Sequence, residues 1–310
     1  MRGISLRGGR GKEKMKDINY EYYKIFYEVA RLGSFSAAAK ALFVSQSAVS
    51  QSIKNLEEKL NRSLFIRTTK SVTLTPAGEL LYSHVEPALR LLMQGQARIT
   101  EENSLEGGQL HIGASDTICR YYLLPYLQQF HKLYPKVSLK VTNQTSLRCV
   151  DLLGEGAVDM IVTNTPNSRL NSSFDTRQVG SFYDVFIAGK TFLTLKDRPI
   201  SFPELLHYPI LMLDRQSTTS EFLHDLFLRE QLQLTPEIEL GSNDLLIELA
   251  KINLGIAFVP DFCIPENSKD LFIVKTKTSL PKRHLVAATR SFVPNSPVVD
   301  AFLALLPEVL

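Results

Sequence analysis

The spacing of apolar residues changes once along this chain, at Glu106-Gly107-Gly108, and that change limits what each half can fold into. Ahead of it, apolar residues recur at intervals of three and four. Tyr22, Tyr23, Phe26, Tyr27, Val29 and Ala30 form one set, and Ala48, Val49, Ile53, Leu56 and Leu60 a second. Leu81, Val85, Ala88, Leu92 and Ile99 form a third, so this half predicts helices. Behind the break, short runs such as MIVT (160–163) and ILML (210–213) alternate with helical stretches. That alternation predicts an α/β body with mostly parallel sheets. A chain of 310 residues has room for two or three such domains.

Punctuation divides the first half further. Gly33 ends one helix and Ser34 can cap the next, a short one over Phe35 to Leu42. Its consecutive Ala37, Ala38 and Ala39 allow another helix to cross closely. Phe43-Val44 makes a tight connection, and Ser45 can cap a third helix running to about Leu60. Phe65 to Leu74 reads as two short strands around a basic tip. Thr75 then caps a long helix with Pro76 in its first turn, where a missing N–H does no harm. Continued to Ser104, that helix would be about 42 Å long, a length that usually finds a partner helix.

Charge is distributed as unevenly as the periods. The chain holds 35 Lys plus Arg against 32 Asp plus Glu. Residues 1–78 carry 14 basic and 6 acidic residues, and the remainder 21 and 26. A basic head on a mildly acidic body implies a polyanion partner for the head alone. Two short helices joined by a three- or four-residue turn can place the second in a DNA major groove. The first N–H groups past Ser45 suit a phosphate or a base edge. Gln46, Ser47, Ser50 and Gln51 follow on the polar face, and Gln pairs in bidentate fashion with adenine. Lys54, Arg62, Arg67 and Lys70 can pair with phosphate, which positions a protein without specifying a sequence. A Gln/Ser face taken alone reads equally as a solvated helix surface. The Ala-rich neighbour, the basic hairpin and the head's charge argue together for DNA.

Enzyme signatures are missing from the sequence. It has no GxSxG, no P-loop and no HExxH, and its six histidines form no close pair. Cys119, Cys149 and Cys263 lie far apart, which offers no disulfide framework and no metal pair and suits a reducing cytoplasm. Cys149 and Cys263 read as small core residues. Cys119, near a predicted helix start where a thiolate would be stabilised, is the redox candidate. No apolar run reaches 18 residues, so no transmembrane helix is expected. Residues 1–16 read as a flexible extension, basic and Gly-rich, with Met15 an alternative start and no signal-peptide core. The expectation is a cytoplasmic non-enzyme with no cofactor and no membrane partner.

The stretch FYEVARLGSFSAAAKALFVSQSAVSQSIKNLEEKLNRSLFIRTTKSVTLTPAGELLY resembles the N-terminal region of the LysR-type bacterial transcriptional regulators. GSFSAAAKAL, SQSAVSQSIKNLEEKL, LFIR and LTPAG carry the likeness, densely and in order. LLPYLQQFHKLYP, LLGEGAVDMIV and LGIAFVP extend it more thinly through the body. The resemblance implies an all-α winged helix-turn-helix domain over 17–75 and a linker helix for dimerisation over 76–105. It also implies an α/β two-lobed effector domain over 106–310, similar to periplasmic binding proteins. Lobe I would take about 106–180 and 281–310, and lobe II about 181–280. The partners implied are double-stranded DNA, a second copy in a dimer or dimer of dimers, RNA polymerase and a small-molecule effector.

Carried over by position, Ser45, Gln46, Ser47, Ser50 and Gln51 would face the major groove, with Ser34 in the same DNA-binding set. Ala38, Ala39, Ala48 and Val49 would hold the two motif helices together, and Phe65 would anchor the hairpin. Arg67, Thr68, Thr69 and Lys70 would lie against the backbone or minor groove.

In such a two-lobed body, ligands sit at the carboxyl ends of strands, between the lobes. Ser115 and Thr117 follow the first strand and resemble effector-contacting hydroxyl residues of the family. Thr145 and Ser146 follow the second strand, and Thr163 ends the third. Arg215, Thr218 and Thr219 follow ILML, and Asn243 follows another strand. Loops rich in hydroxyls and amides imply a small polar effector. An anion is expected, with Arg120, Arg148 and Arg215 as candidate charge partners that also read as surface or structural residues, and Asp116 as the dissenting group. The hydroxyls that precede a helix also have an ordinary reading as caps, and Thr163 one as a simple strand end. Two other functions compete with this one. The first is a small-molecule-binding protein or enzyme whose head serves only oligomerisation, against which the Arg67–Lys70 hairpin and Gln46 and Gln51 argue. The second is an architectural DNA binder that senses no effector.

Overall fold

The computed structural model describes residues 18–67, 72–99, 105–265 and 269–308. Thr68, Thr69 and Lys70 lie outside the described residues. Caps define the first helices. Asn19 accepts the Glu21 N–H and starts α1 (Tyr20–Leu32), which ends at Gly33 in the left-handed region, φ 60°. Ser34 accepts the Ala37 N–H and starts α2 (Phe35–Ala41). Ser45 accepts the Ala48 N–H at 3.2 Å and starts α3 (Gln46–Leu60). Removing one such side-chain cap costs about 1 kcal/mol. Strands β1 (Phe65–Arg67) and β2 (Val72–Leu74) pair antiparallel. Thr75 caps α4 (Pro76–Ile99), accepting the Gly78 N–H at 3.0 Å and donating to the Ser63 carbonyl at 2.7 Å. A Cβ on Gly78 would lie 2.1 Å from the Leu64 carbonyl oxygen, so α4 approaches the hairpin base this closely only with glycine there.

The core of this unit comes from the third-and-fourth spacing. Phe26, Val29, Ala38, Ala39, Val49, Ile53, Leu56 and Phe65 are buried together. The Phe65 ring meets Phe26 at 5.4 Å and Phe35 at 5.8 Å, which ties the hairpin to α1 and α2. Ala48 departs from the expectation: it is exposed, because the cap turns it to the outer face one residue before Val49 goes in. The apolar stripe of α4 divides as well. Leu81, Val85 and Leu89 pack on this core, while Leu92 is exposed. The chain separates into two compact units at Arg90/Leu91, inside α4.

In the second unit, β3 (Gln109–Ala114) leads through α5 (Asp116–Ile118) and a π turn at Cys119–Leu123 into α6 (Leu124–Leu133). Then come β4 (Ser138–Asn143), α7 (Ser146–Gly154), β5 (Met160–Thr165), β6 (Phe174–Phe182), β7 (Asp184–Gly189), α8 (Phe202–Leu205), β8 (Ile210–Leu213) and α9 (Thr218–Arg229). The unit closes with β9 (Ile238–Leu240), α10 (Asn243–Lys251), β10 (Ile256–Pro260), β11 (Leu271–Val274), β12 (Arg283–Arg290) and α11 (Pro297–Leu303). Two five-stranded sheets result, ordered β4-β3-β5-β12-β6 and β11-β7-β10-β8-β9. They define two lobes.

The sheets are mixed rather than mostly parallel. β4-β3-β5 and β10-β8-β9 run parallel, whereas β12 pairs antiparallel with both β5 and β6, and β7 antiparallel with β10 and β11. The chain leaves the first sheet at Phe182, enters the second at Asp184 and returns as β12, so strands at the crossings run against the βα repeat. Strand β6 escaped the pattern reading because only Val179 and Phe182 of it are buried. Strand β5 goes inward on both faces: Met160 and Val162 join one core cluster, Ile161 the other.

Candidate functional site

Two sets of polar side chains answer to the expectations, one in each unit. In the first, Ser45, Gln46, Ser47 and Gln51 are exposed along one face of α3, and Ser50 is half-buried beside them. Neighbours fix their orientation. Ser36 of α2 donates to Gln46 Oε1 at 2.9 Å. Gln51 donates to Asn55 Oδ1 at 2.8 Å, and Asn55 donates in turn to the Tyr22 hydroxyl at 3.2 Å. The Ser45 and Ser47 hydroxyls lie 2.9 Å apart. Ser36, Asn55 and Tyr22 were not singled out from the sequence; the spacing of ten residues between Ser36 and Gln46 is visible only once α2 crosses α3.

Lys54, Arg62 and Arg67 are all exposed and divide by how firmly they are held. Arg62 is exposed beyond α3, and Lys54 pairs loosely with Glu58 at 3.8 Å. Arg67 is tied down. Its guanidinium lies 4.6 Å from the Phe35 ring centroid and 3.4 Å from Glu57. Glu57 also accepts the Leu64 and Phe65 N–H groups at 2.7 and 3.3 Å, so it clasps the hairpin base to α3. Ser34 caps α2 and is half-buried.

The second set surrounds a cavity of about 280 Å³ between the two sheets of the body. Strand ends and helix starts converge on it. Ser115, Thr117, Thr145, Ser146, Thr218, Thr219 and Asn243 all line the cavity. Ser115 and Thr145 also cap their helices, accepting the Ile118 and Arg148 N–H groups at 3.3 Å each. Two residues depart from the expectation. Thr163 is wholly buried on the other side of β5, where it accepts from Asn167 at 3.0 Å; alternation along the strand turns Asn164 to the cavity instead. Arg215 lines a neighbouring groove of about 560 Å³, because the chain turns at Asp214 and Gln216 before α9 begins.

Residues of the two lobes bond to each other across this cavity. Asn243 donates to Thr117 Oγ1 at 2.9 Å, and Thr218 donates to Asn164 Oδ1 at 2.5 Å. At the rim, Asp244 accepts from Arg120 at 2.9 Å and from the Tyr121 hydroxyl. Burial and that carboxylate push the Tyr121 phenol up to about 12. Arg120 and Arg148 therefore serve carboxylates of the chain, Arg148 pairing with Glu155 at 2.7 Å. Among the described residues that line the cavity, Asp116 and Asp214 alone are charged. Asn243 is 5% exposed, and the half of its amide that does not bond Thr117 has no partner.

Behind the cavity, Arg283 at the start of β12 joins the lobes. It is fully buried and holds Asp184 at 2.6 Å and Thr219 at 3.1 Å. It donates to the Thr165 carbonyl at 3.2 Å, and its guanidinium lies between the Phe182 and Phe222 rings. Burial raises the Asp184 carboxyl above its ordinary range, and the guanidinium opposes that rise. Cys119 is half-buried in the π turn. Burial first and Asp116 second push its thiol up to about 11, against the thiolate expected at a helix start. Among the described residues, no group of three or more His, Cys, Asp or Glu is placed to hold a metal ion, and no helix is long and apolar enough to cross a membrane.

A helix pair with an exposed polar face, joined in one chain to a two-lobed α/β domain around a polar cavity, has the architecture of a DNA-binding regulator with an effector domain. Residues 20–79 match the family model described as "Bacterial regulatory helix-turn-helix protein, lysR family", and residues 103–310 the one described as "LysR substrate binding domain". The chain belongs to the LysR family of bacterial transcriptional regulators. It is 29% identical over 260 residues to the HTH-type transcriptional regulator YofA of Bacillus velezensis, covering 81% of this chain and 84% of that one. It is 24% identical to the transcriptional activator IlvY of Salmonella typhimurium, covering 92% and 98%. In fold it is similar to a full-length single-residue variant of OxyR from Pseudomonas aeruginosa, with a TM-score of 0.64, 20% identity and 93% of each chain covered. CbnR complexed with its target DNA gives a TM-score of 0.52 at 17% identity, covering 93% of this chain and 98% of that one.

Proposed function

We propose that α3 reads the major groove through Gln46, Ser47, Ser50 and Gln51, with Ser45 and Ser34 at the helix starts. Lys54, Arg62, Arg67, Thr68, Thr69 and Lys70 would position the unit on phosphate. The observation that carries this reading is the outward set of Gln46 and Gln51, each held by a neighbouring side chain rather than loose in water. An orienting bond of this kind lowers the entropy lost when a flexible amide meets a base. One short helix reads few bases, so two copies act on a two-fold site, paired through α4, where Leu80, Leu92 and Met93 remain exposed. The output is altered contact with RNA polymerase at a promoter.

The cavity binds a small polar effector through Ser115, Thr117, Asn164, Thr218 and Asn243. An acidic group on that effector would meet the helix starts of α7, α9 and α10, since no described Arg or Lys lines the cavity. Asp116 and Asp214 favour a molecule that also carries hydroxyl or ammonium donors. Such a ligand competes with the Asn243–Thr117 and Thr218–Asn164 bonds and shifts the lobes only by its difference in affinity between their arrangements.

Footprinting the purified protein on a duplex selected from a random-sequence pool tests the first part. Two protected half-sites separated by whole helical turns are expected, with affinity falling steeply as salt rises. A single unpaired footprint, or binding indifferent to salt, would overturn it.

A further inference from the structure

Three helix ends of the first unit turn through the left-handed region. Gly33 follows α1 at φ 60°, Asn61 follows α3 at φ 53°, and Phe43 closes the turn after α2 at φ 56°. The last two are built alike. Val44 N–H bonds to the Ala39 carbonyl at 3.0 Å and Phe43 N–H to the Lys40 carbonyl at 3.3 Å. At the end of α3, Arg62 N–H bonds to Glu57 and Asn61 N–H to Glu58 in the same pattern. This paired closure holds the enclosed residue at positive φ, where glycine is usual and asparagine next. A phenylalanine there brings its Cβ against the following carbonyl.

The fold returns nothing for that strain. Phe43 is 95% exposed, and Val44 beside it is 44% exposed. A large apolar ring therefore stands in water on a backbone that disfavours it. An outlier of this kind is rewarded by something outside the chain. Its position names the partner. Phe43 lies two residues before the Ser45 cap and three before Gln46, at the end of α3 that enters a groove. Residues 1–78, with 14 basic and 6 acidic side chains, attract a polyanion and repel a second copy of themselves.

We propose that Phe43, flanked by Val44, is a DNA-contacting residue that lays its ring on the apolar surface of the duplex at the groove edge. That surface is the thymine C5-methyl or the adjoining deoxyribose. The proposal rests on the reading that α3 enters the major groove.

Phe43→Asn and Phe43→Gly keep the backbone and remove the ring. Full-length variants are expected to melt at or above the wild-type Tm. They should bind a duplex selected by the wild-type protein about tenfold more weakly, the scale of one good apolar or base contact. Replacing that duplex's thymines one at a time by uracil removes only the methyl. A loss for wild type at one position, absent in Phe43→Asn, assigns the ring to the methyl; weakening without such a position assigns it to deoxyribose. Unchanged DNA affinity in both variants overturns the proposal, as does a loss traced by sedimentation to weaker self-association. Gln46→Ala separates the underlying reading: if it too leaves affinity unchanged, the docking of α3 has failed rather than the role of Phe43.

Discussion

The face of α3 and the cavity of the α/β body are both polar, but they satisfy their polar groups in opposite ways. On α3, Gln46 and Gln51 are exposed, each held by one bond from within its own unit. Around the cavity, Thr218 and Asn243 are buried, and each bonds a residue of the opposite lobe. On the proposed reading, a surface that meets a large rigid partner keeps its side chains oriented and free. On the same reading, a site that changes shape uses that chemistry in bonds a ligand can replace. The first arrangement should tolerate substitution with little loss of stability, and the second should not.

The strongest test of that contrast is the ion pair behind the cavity. Arg283→Met leaves Asp184 buried without its partner, and removing one member of a buried pair costs about 3–5 kcal/mol. Urea denaturation measures it, and a loss below about 1 kcal/mol would mean that the lobes are joined chiefly elsewhere. Next in size is Gln46→Ala, expected to cost about 1–3 kcal/mol at a selected duplex, with specificity relaxed at one base and the urea midpoint unmoved. A shifted midpoint would erase the distinction between the two regions.

The bonds across the cavity give a smaller effect. In a double-mutant cycle, Thr117→Val and Asn243→Ala should couple by about 1 kcal/mol in the absence of effector. Additive losses would show that this bond does not hold the lobes together. The smallest change belongs to Arg62→Ala, which should weaken all duplexes alike and lower the slope of log affinity against log salt by about one. An unaltered slope would remove Arg62 from the phosphate contacts. Arg67→Ala should add a loss of stability, because Arg67 also bonds Glu57 and covers Phe35.

Much of the first unit was legible because its signals are local. Ser34, Ser45 and Thr75 cap helices a few residues away, and each does so with a bond to an N–H three positions on. The body was legible as α/β by alternation, and its cavity by the hydroxyls at strand ends. Legibility failed where one residue of register matters. Thr163 and Asn164 are both polar at the end of the same strand, and only the pairing of β5 with β3 and β12 decides which of them faces the cavity. Arg120 and Arg148 were open to either a ligand or a structural role, and the fold gives them to Asp244 and Glu155.

The sequence by itself determined the helix starts at Phe35, Gln46 and Pro76, the change of period after Gly108 and the polar face of α3, because caps and periodicity act within a turn or two of chain. Tertiary structure alone decided that Ser36 holds Gln46, that Asn164 meets Thr218 and that Arg283 bridges both lobes to Asp184. The last of those contacts spans 99 residues. No local rule reaches that far: such a contact exists only after the chain has crossed from one sheet to the other and come back.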